Sequence, residues 1–259
     1  MNINILIFIV IIFLIFLFLK KLPLKKLPLK NPHLRPLHLK NPPLKNSSLK
    51  KLDNIAKTKG IKDIKIKIYK GLKIIDKIFN KHGIYYTIAY GTLLGAVRHS
   101  DMIDWDDDAD IHIKHEDIPK IMTLKEEFKK HNLILEKNWK LLKIYFSDTK
   151  YPFIDLFPVY NKWGKAKRCK TIHPECKEIN QKWWTSWYDF PYEWLLKRSR
   201  YKFGPINIWG ITSPLKILKY WYGKKVLEEC KSHNYDHITG KFLKPKIVKC
   251  VNLPAPQIK

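Results

Sequence analysis

The chain has 259 residues, enough for one domain of roughly 200 residues with an appendage, and a formal net charge of +27. Lysine supplies 45 of the 50 basic residues, whereas arginine is the usual reader of base edges and of bidentate phosphate contacts. No zinc-finger, RNA-binding or basic-zipper signature accompanies the charge. The composition therefore argues against a dedicated nucleic-acid-binding protein.

The first segment, residues 1–19, is almost entirely apolar, with an unbroken apolar run from position 5 to position 19. Nineteen residues of helix reach about 28 Å, which is enough for a thin bilayer. A cleaved signal peptide, the alternative, would need a basic start and a small-residue cleavage site. The first four residues carry no charged side chain, and Lys20-Lys21 follows the run directly. We therefore predict an uncleaved, single-pass transmembrane helix over residues 1–19.

Residues 20–59 form a second segment that repeats lysine, proline and leucine without a helical or alternating period. Prolines this frequent exclude a helix and favour an extended, polyproline-type chain. A proline-rich ligand for an aromatic groove is the alternative. We predict a semi-rigid basic stalk between the membrane and a domain that spans residues 60–259.

From residue 60 onward, the pattern is that of an α/β domain. Helices are predicted where apolar residues recur at helical spacing or between capping residues, at residues 64–79, 93–99, 116–130 and 214–222. Strands are predicted where β-rich or alternating runs occur, at residues 85–90, 108–113, 133–135, 143–146 and 153–157. Residues 161–186 are irregular and predict a loop insertion. Most aromatic residues are expected to pack in the core, including Trp183, Trp184, Trp187, Trp194 and Trp209.

The strongest functional signal lies in residues 90–113. Four acidic residues fall within five positions there, namely Asp106, Asp107, Asp108 and Asp110. Asp108 and Asp110 alternate with apolar residues, so both carboxylates should project from one face of a strand. Carboxylates held this close repel each other unless a cation lies between them, and hard oxygen ligands suit Mg²⁺ or Mn²⁺. A solvated acidic loop is the alternative, but the alternation with apolar residues argues against it.

This stretch resembles the signature of the LicD/fukutin family of phosphotransferases, which share the nucleotidyltransferase fold. The resemblance rests on Gly91-Thr92, the LLGAVRH run and the WDDDADI run. The chain departs from the family pattern without losing a metal-binding carboxylate, at Ser100, Asp101, Asp104 and Ala109. A weaker likeness covers residues 201–223. The resemblance implies an α/β (α+β) domain with a mixed sheet and flanking helices.

The family resemblance also implies a third carboxylate on a neighbouring strand. Asp155 is the single charge in the apolar run at residues 153–157. A lone carboxylate in such a strand is costly to bury unless it meets a cation. An aspartate bonded to backbone amides at a strand edge is the alternative. We predict that Asp155 is the third metal ligand.

The resemblance implies a metal-dependent transferase that moves a phosphorylated alcohol, such as phosphocholine or ribitol phosphate, from a CDP-linked donor to a sugar or glycan hydroxyl. The implied residues are the metal ligands Asp108, Asp110 and Asp155, the phosphate-binding residues Gly91, Thr92, Arg98 and His99, and the candidate general bases Asp106 and Asp107. Mg²⁺ or Mn²⁺ is the implied cofactor.

Two other functions are compatible with the same residues. The metal site could transfer the nucleotidyl group itself, releasing pyrophosphate in place of CMP. Alternatively, the chain could be a non-catalytic, membrane-tethered basic module with a vestigial acidic site. The presence of all three predicted metal ligands argues against the second of these.

Four cysteines are present, Cys169, Cys176, Cys230 and Cys250. Two disulfides are arithmetically possible, and His173 could complete the start of a zinc site, but no paired spacing supports it. We expect reduced thiols. The orientation of the domain stays open, because positive charge after the anchor favours the cytoplasm whereas eukaryotic members of the resembled family look luminal. Asn46 is the single N-glycosylation acceptor.

The membrane prediction can be tested by washing membranes that contain the full-length chain. The chain should stay in the pellet through high-salt and alkaline washes, because contacts made by the basic stalk alone would be screened within about 3 Å at 1 M salt. Deleting residues 1–19 should release the protein. A mature N-terminus near Lys20 would contradict the anchor, and glycosylation at Asn46 would place the domain in the lumen.

Overall fold

A mixed β-sheet organises the part of the chain that the structure, a computed structural model, describes. That part comprises residues 59–137, 141–168 and 188–231, together with 235–236, 241–242, 244, 246–250 and 253–258. The sheet strands are β1 (Tyr86–Ile88), β2 (Ala109–Lys114), β3 (Leu133–Lys137), β4 (Leu142–Phe146), β5 (Phe153–Lys162) and β6 (Lys165–Lys167). Their order is β1-β2-β5-β4-β3, with β6 paired to β5. Strands β2 and β5 are parallel, and the other neighbours are antiparallel.

Five helices are described, α1 (Lys59–Lys81), α2 (Tyr90–His99), α3 (Ile118–Thr123), α4 (Lys125–Lys129) and α5 (Pro214–Tyr222). Helix α1 forms because its apolar residues recur on one face, and that face is buried at Ile68, Leu72, Ile75 and Phe79. It contacts β4 and β5 of the sheet. The predicted mixed sheet with flanking helices is therefore confirmed.

The two faces of the central strands have different characters, as alternation requires. Ala109, Ile111 and Ile113 of β2 are buried in the hydrophobic core. Asp110 and His112 alternate with them and therefore project from the opposite face. This polar face positions the candidate functional site.

The single helix predicted at residues 116–130 is wrong. The structure divides this stretch into α3 and α4, with a short 3₁₀ turn (His115–Asp117) before them. The break falls at Leu124, whose φ of −88° and ψ of 6° leave the helical region. Ile121, Leu124 and Phe128 are buried on both sides of this break, so both short helices pack against the core.

A β-hairpin that the sequence analysis did not predict follows the 3₁₀ turn Tyr192–Leu195. Its strands are β7 (Arg198–Phe203) and β8 (Ile206–Ile211). Strand β8 contacts β1 and α1, so the hairpin extends the core beyond the sheet. Strand β6 likewise lies in the stretch that the sequence predicts to be irregular. It forms because β5 continues to Lys162 and the chain then turns back through Trp163 and Gly164, which both have positive φ.

The C-terminal segment contains four short strands, β9 (Glu229–Lys231), β10 (Tyr235–Asp236), β11 (Lys241–Phe242) and β12 (Ile247–Lys249). Strands β9 and β12 pair, and Cys230 and Cys250 form a disulfide with a Cα–Cα distance of 5.1 Å. The expectation of reduced thiols is therefore wrong for these two cysteines, because long-range strand pairing brings them together. Cys169 and Cys176 lie outside the described residues.

The predicted anchor at residues 1–19, the stalk and Asn46 also lie outside the described residues and stay predictions. Within the described part of the chain, no helix combines the length and apolar character needed to cross a membrane.

An ion pair joins α1 to the β7–β8 hairpin. Arg200 donates to both carboxylate oxygens of Asp76, at 2.7 and 2.8 Å. Tyr86 donates its hydroxyl to the same carboxylate at 2.5 Å. Burial raises the pKa of Asp76, but the hydrogen bonds from Arg200 and Tyr86 outweigh burial and hold the pKa below its ordinary 3.8. The ionised carboxylate therefore stabilises the junction of helix, sheet and hairpin.

Replacing Arg200 by Met is expected to lower the free energy of unfolding by about 1–3 kcal/mol at neutral pH, because Asp76 loses its two-point partner. Since the folded pKa of Asp76 is depressed, this contribution is complete above pH 3.8 and is lost as pH falls through the lower folded pKa. Urea unfolding of the wild type and of Arg200→Met, from neutral pH to below pH 3.8, measures this contribution. Lys67→Met, which removes an exposed pair with Asp148, is the control. A difference that persists undiminished in acid would contradict the assignment.

Candidate functional site

Three predicted metal ligands come together on the polar face of the sheet. Asp108 immediately precedes β2, and Asp110 is the second residue of that strand. Asp110 lies opposite Asp155 in the parallel β2–β5 pairing. One carboxylate oxygen from each of Asp108, Asp110 and Asp155 lies within 4.8 Å of the other two. The structure thus shows the predicted proximity, and the role of these residues as ligands stays a prediction.

A second group of acidic side chains adjoins the first and shares Asp108 with it. Carboxylate oxygens of Asp106, Asp107 and Asp108 also lie within 4.8 Å of one another. Tyr151 donates its hydroxyl to Asp107 Oδ2 at 2.9 Å. We call all five residues of the two groups, Asp106, Asp107, Asp108, Asp110 and Asp155, the carboxylate cluster.

Gly91, at the start of α2, leaves room for the carboxylate of Asp106. A Cβ atom at this position would lie 2.9 Å from Asp106 Oδ2, closer than a carbon and an oxygen can approach. Any side chain at Gly91 would therefore push the Asp106 carboxylate away. The glycine predicted to contact phosphate thus also makes room for an acidic residue of the site.

Thr92 fixes the backbone of Asp110. Its Oγ1 accepts a hydrogen bond from the Asp110 N–H at 2.8 Å. The Asp110 carbonyl in turn accepts one from the Ala89 N–H at 2.9 Å. The side chain of Thr92 is buried, so it acts as a positioning group, and the predicted contact of its backbone with phosphate is untested.

Arg98 and His99, predicted to bind phosphate, contact each other at the end of α2, and their binding of phosphate stays a prediction. Arg98 is buried, and its Nη1 donates to the carbonyl oxygens of Val226 and Glu229, both at 2.9 Å. Its Nε lies 3.0 Å from His99 Nε2. Burial and the neighbouring guanidinium lower the pKa of His99 to about 4, so the imidazole is neutral at pH 7. Arg98 makes these contacts because α2 ends beneath the C-terminal segment, which supplies the carbonyl acceptors.

The electrostatics of the cluster favour a bound cation. Burial raises the pKa of Asp110 well above its ordinary value, and the carboxylates of Asp108, Asp155 and Asp106 raise it further. Like charges in a poorly solvated site disfavour ionisation, and a divalent cation removes that penalty. The cluster offers only carboxylate oxygens, the hard donors that Mg²⁺ and Mn²⁺ prefer. The residues present therefore fit the implied ion.

Sequence reasoning missed two side chains that contact the cluster. Tyr151, already described, comes from the β4–β5 loop. Lys143 of β4 places its Nζ 2.9 Å from Asp155 Oδ1. Alternation within residues 143–146 could have placed Lys143 on one sheet face, but only the strand pairing shows that this face carries Asp155.

An aromatic group covers the polar face next to the cluster. The ring of Tyr90 lies 5.2 Å from those of His112 and Phe157 and 4.5 Å from that of Trp221, measured between centroids. Elsewhere Trp194 stacks on Phe190, as expected of packing residues. Trp183, Trp184 and Trp187 lie outside the described residues.

Asp110→Asn is expected to raise the melting temperature of the metal-free protein at neutral pH. Because the folded pKa of Asp110 is raised, the ionised residue destabilises the fold increasingly as pH rises above its ordinary value of 3.8, and asparagine removes that repulsion. Thermal unfolding in a chelator measures the effect. Adding Mg²⁺ or Mn²⁺ should make the wild type more stable than Asp110→Asn, since a ligand at 100 times its Kd stabilises the wild type by about 2.7 kcal/mol. A metal-free variant less stable than the wild type would contradict this reading.

Comparison with known proteins identifies the domain. Residues 83–210 match the sequence model of the family described as LicD/FKTN/FKRP, nucleotidyltransferase domain. That range includes β1, β2 and β5 and all five residues of the carboxylate cluster. The match therefore covers the part of the chain that carries the candidate site.

Relatives match with moderate identity and partial coverage. An uncharacterized protein of Rickettsia typhi is 32% identical over 61% of this chain and 46% of its own length. An uncharacterized protein of Rickettsia prowazekii is 28% identical over 61% of this chain and 54% of its own. The human protein named ribitol 5-phosphate transferase FKRP is 30% identical over 32% of this chain and 18% of its own. The chain thus spans about half the length of the bacterial relatives.

A crystal structure of the lincosamide antibiotic adenylyltransferase LnuA superposes with a TM-score of 0.36 and 16% identity, over 55% of this chain and 78% of that one. A superposition this weak supports no argument about ligand or fold. The sequence match over residues 83–210 is the stronger finding. It confirms the family inferred from the sequence: this chain carries a nucleotidyltransferase domain of the LicD/FKTN/FKRP family.

Proposed function

We propose that this protein is a metal-dependent phosphotransferase that moves a phosphorylated alcohol from a CDP-linked donor to a sugar or glycan hydroxyl. The observation that carries the proposal is the convergence of Asp108, Asp110 and Asp155 at the paired starts of β2 and β5. Their position within a LicD/FKTN/FKRP domain supports transfer chemistry. The name of the human relative supports a phosphorylated alcohol as the transferred group.

Asp108, Asp110 and Asp155 are the residues that would hold Mg²⁺ or Mn²⁺. When bound, the ion supplies positive charge that neutralises the diphosphate and the departing CMP. Thr92 and Ala89 hold the backbone of Asp110 from both sides, so the ligand geometry is set before substrate arrives. This preorganisation is what a site needs to act on charge that develops during reaction.

The acceptor hydroxyl requires a group that takes its proton. Asp106 and Asp107 are the candidate bases, because both lie beside Asp108 at the edge of the cluster. The hydroxyl oxygen forms a bond to the transferred phosphorus, the bond from that phosphorus to the CMP oxygen breaks, and the proton passes to the carboxylate. Asp107 is oriented by the hydroxyl of Tyr151, and the absence of a side chain at Gly91 leaves room for Asp106.

The same site could instead transfer the nucleotidyl group, which the family description as a nucleotidyltransferase domain makes the second candidate. The products separate the two reactions. Transfer of a phosphorylated alcohol from a CDP-linked donor releases CMP, whereas nucleotidyl transfer from a nucleoside triphosphate releases pyrophosphate. A panel of CDP-linked donors and nucleoside triphosphates, scored for CMP and for pyrophosphate, decides between them.

We further propose that residues 1–19 tether this domain to a membrane. The domain then lies on the non-cytosolic side, where disulfides persist. Disulfides are retained in oxidising compartments and at cell surfaces. The Cys230–Cys250 pair therefore supports a non-cytosolic position for the domain, against the positive charge that follows the apolar run.

Asp108→Asn, Asp110→Asn and Asp155→Asn are each expected to reduce turnover by about 10²-fold or more, because each removes one charged ligand from the site. The measurement is CMP release by the full-length chain with a CDP-linked donor and Mn²⁺. Asp148→Asn is the matched control, since Asp148 is exposed and pairs with Lys67 away from the cluster. Full activity in Asp155→Asn would show that the third ligand is misplaced.

A further inference from the structure

Lys143 is a cation inside an otherwise acidic site. Its Nζ lies 2.9 Å from Asp155 Oδ1, and the two side chains are 26% and 14% exposed. Pairs this shielded from solvent interact more strongly than surface ion pairs, whose contribution to stability is small. Its Nζ also lies 3.0 Å from the centroid of the Phe153 ring. The ammonium group is therefore held from two sides.

The position of Lys143 is determined by strand register. Lys143 and Asp155 are directly opposed in the antiparallel pairing of β4 with β5. The flanking pairs, Leu142 with Leu156 and Ile144 with Ile154, are buried on the opposite face. A slip by one residue would expose these apolar pairs, so the register and the lysine's place are strongly specified.

The formal charges of the metal ligands indicate how Lys143 affects the approach of a negatively charged substrate. Asp108, Asp110 and Asp155 together carry three formal negative charges, and one divalent ion would leave the group with a net charge of −1. The ammonium group of Lys143 brings the sum for these ligands to zero, while Asp106 and Asp107 beside Asp108 add negative charge to the wider cluster. Because Lys143 reduces the negative charge next to the metal ligands, a negatively charged diphosphate is repelled less there than it would be without the lysine.

We propose that Lys143 is a phosphate-contacting residue of this site, held on Asp155 until a cation occupies the carboxylates. The inference rests on the proposed function and adds a catalytic residue to it. Once a divalent ion shares the charge of Asp155, the attraction between Asp155 and Lys143 weakens. The ammonium group, with three donors on a flexible stem, then turns its hydrogen bonds to the donor's phosphate oxygens. The ligand class is a nucleoside diphosphate or an ester of one.

A purely structural ion pair makes a different prediction from this role. If Lys143 served only to orient Asp155, its removal would weaken cation binding and, with it, nucleotide binding. If Lys143 contacts phosphate, its removal has opposite effects on the two ligands. Cations bind more tightly, because a competing positive charge is gone, and the nucleotide binds more weakly, because a phosphate donor is gone.

The test compares the full-length wild type with Lys143→Met, which keeps the length of the side chain and removes its charge. Mn²⁺ alone is titrated by electron paramagnetic resonance, and CDP is titrated by calorimetry at saturating Mn²⁺. We expect Lys143→Met to bind Mn²⁺ about tenfold more tightly and CDP about tenfold more weakly, the size of one charged interaction. Lys67→Met, which removes an exposed ion pair outside the site, should match the wild type in both titrations.

Lys143→Gln repeats both titrations, and Lys143→Arg should keep more of the CDP affinity than either neutral variant. Weaker binding of both ligands, or no change in either, would overturn the phosphate role. A wild type that fails to bind Mn²⁺ would instead refute the metal-dependent function, and this inference would fail with it. Failure of the metal-dependent function is thus seen in the Mn²⁺ titration of the wild type, and failure of the phosphate role in the titrations of the Lys143 variants.

Discussion

The parallel pairing of β2 with β5 is the constraint on which the rest of the site depends. It places Asp110 opposite Asp155 and leaves Asp108 one step before the strand. The other face of the two strands is buried at Ala109, Ile111, Ile154 and Leu156. This burial makes the observed register far more stable than a register shifted by one residue. The acidic side chains are therefore held together by the hydrophobic core and stay together despite their mutual repulsion.

Helix α2 connects this strand pair to the C-terminal segment. At its start, Thr92 holds the backbone of Asp110. At its end, the buried guanidinium of Arg98 donates to two carbonyls near β9, where Cys230 is bonded to Cys250. Gln257 adds hydrogen bonds to the Ala96 carbonyl and to the β7 backbone. The position of the carboxylate cluster thus depends on contacts made by residues more than a hundred positions later in the chain.

The cluster and its neighbours follow a consistent charge logic. Five carboxylates are concentrated in one place, and burial together with the neighbouring carboxylates disfavours ionisation of Asp110, an arrangement that costs stability when no cation is present. Lys143 offsets part of that cost through Asp155, and Tyr151 satisfies Asp107. Such arrangements of destabilised charge are typical of functional sites and are uncommon where residues serve packing alone. The fold tolerates them because the opposite face of the same strands is fully apolar.

Local patterns in the sequence determined much of this protein. Alternation placed Asp108 and Asp110 on one face, helical spacing over residues 64–79 located α1 within its observed range Lys59–Lys81, and a capping serine-proline pair with a following glycine bounded α5. A residue's nearest neighbours in sequence decide these features, because the periods of helix and strand are local properties. The family motif added Asp155, which lies forty-five positions beyond Asp110.

Only the tertiary structure decided which polar side chains meet. Arg98 looked like a phosphate ligand in its motif, yet the chain returns over α2 and buries it against backbone carbonyls. Lys143 begins a strand predicted at residues 143–146, but only the β4–β5 register places it beside Asp155. The Cys230–Cys250 disulfide and the β7–β8 hairpin likewise depend on pairings between distant segments. Sequence periodicity states which face a residue occupies, but the pairing of strands and the return of the chain decide what that face meets.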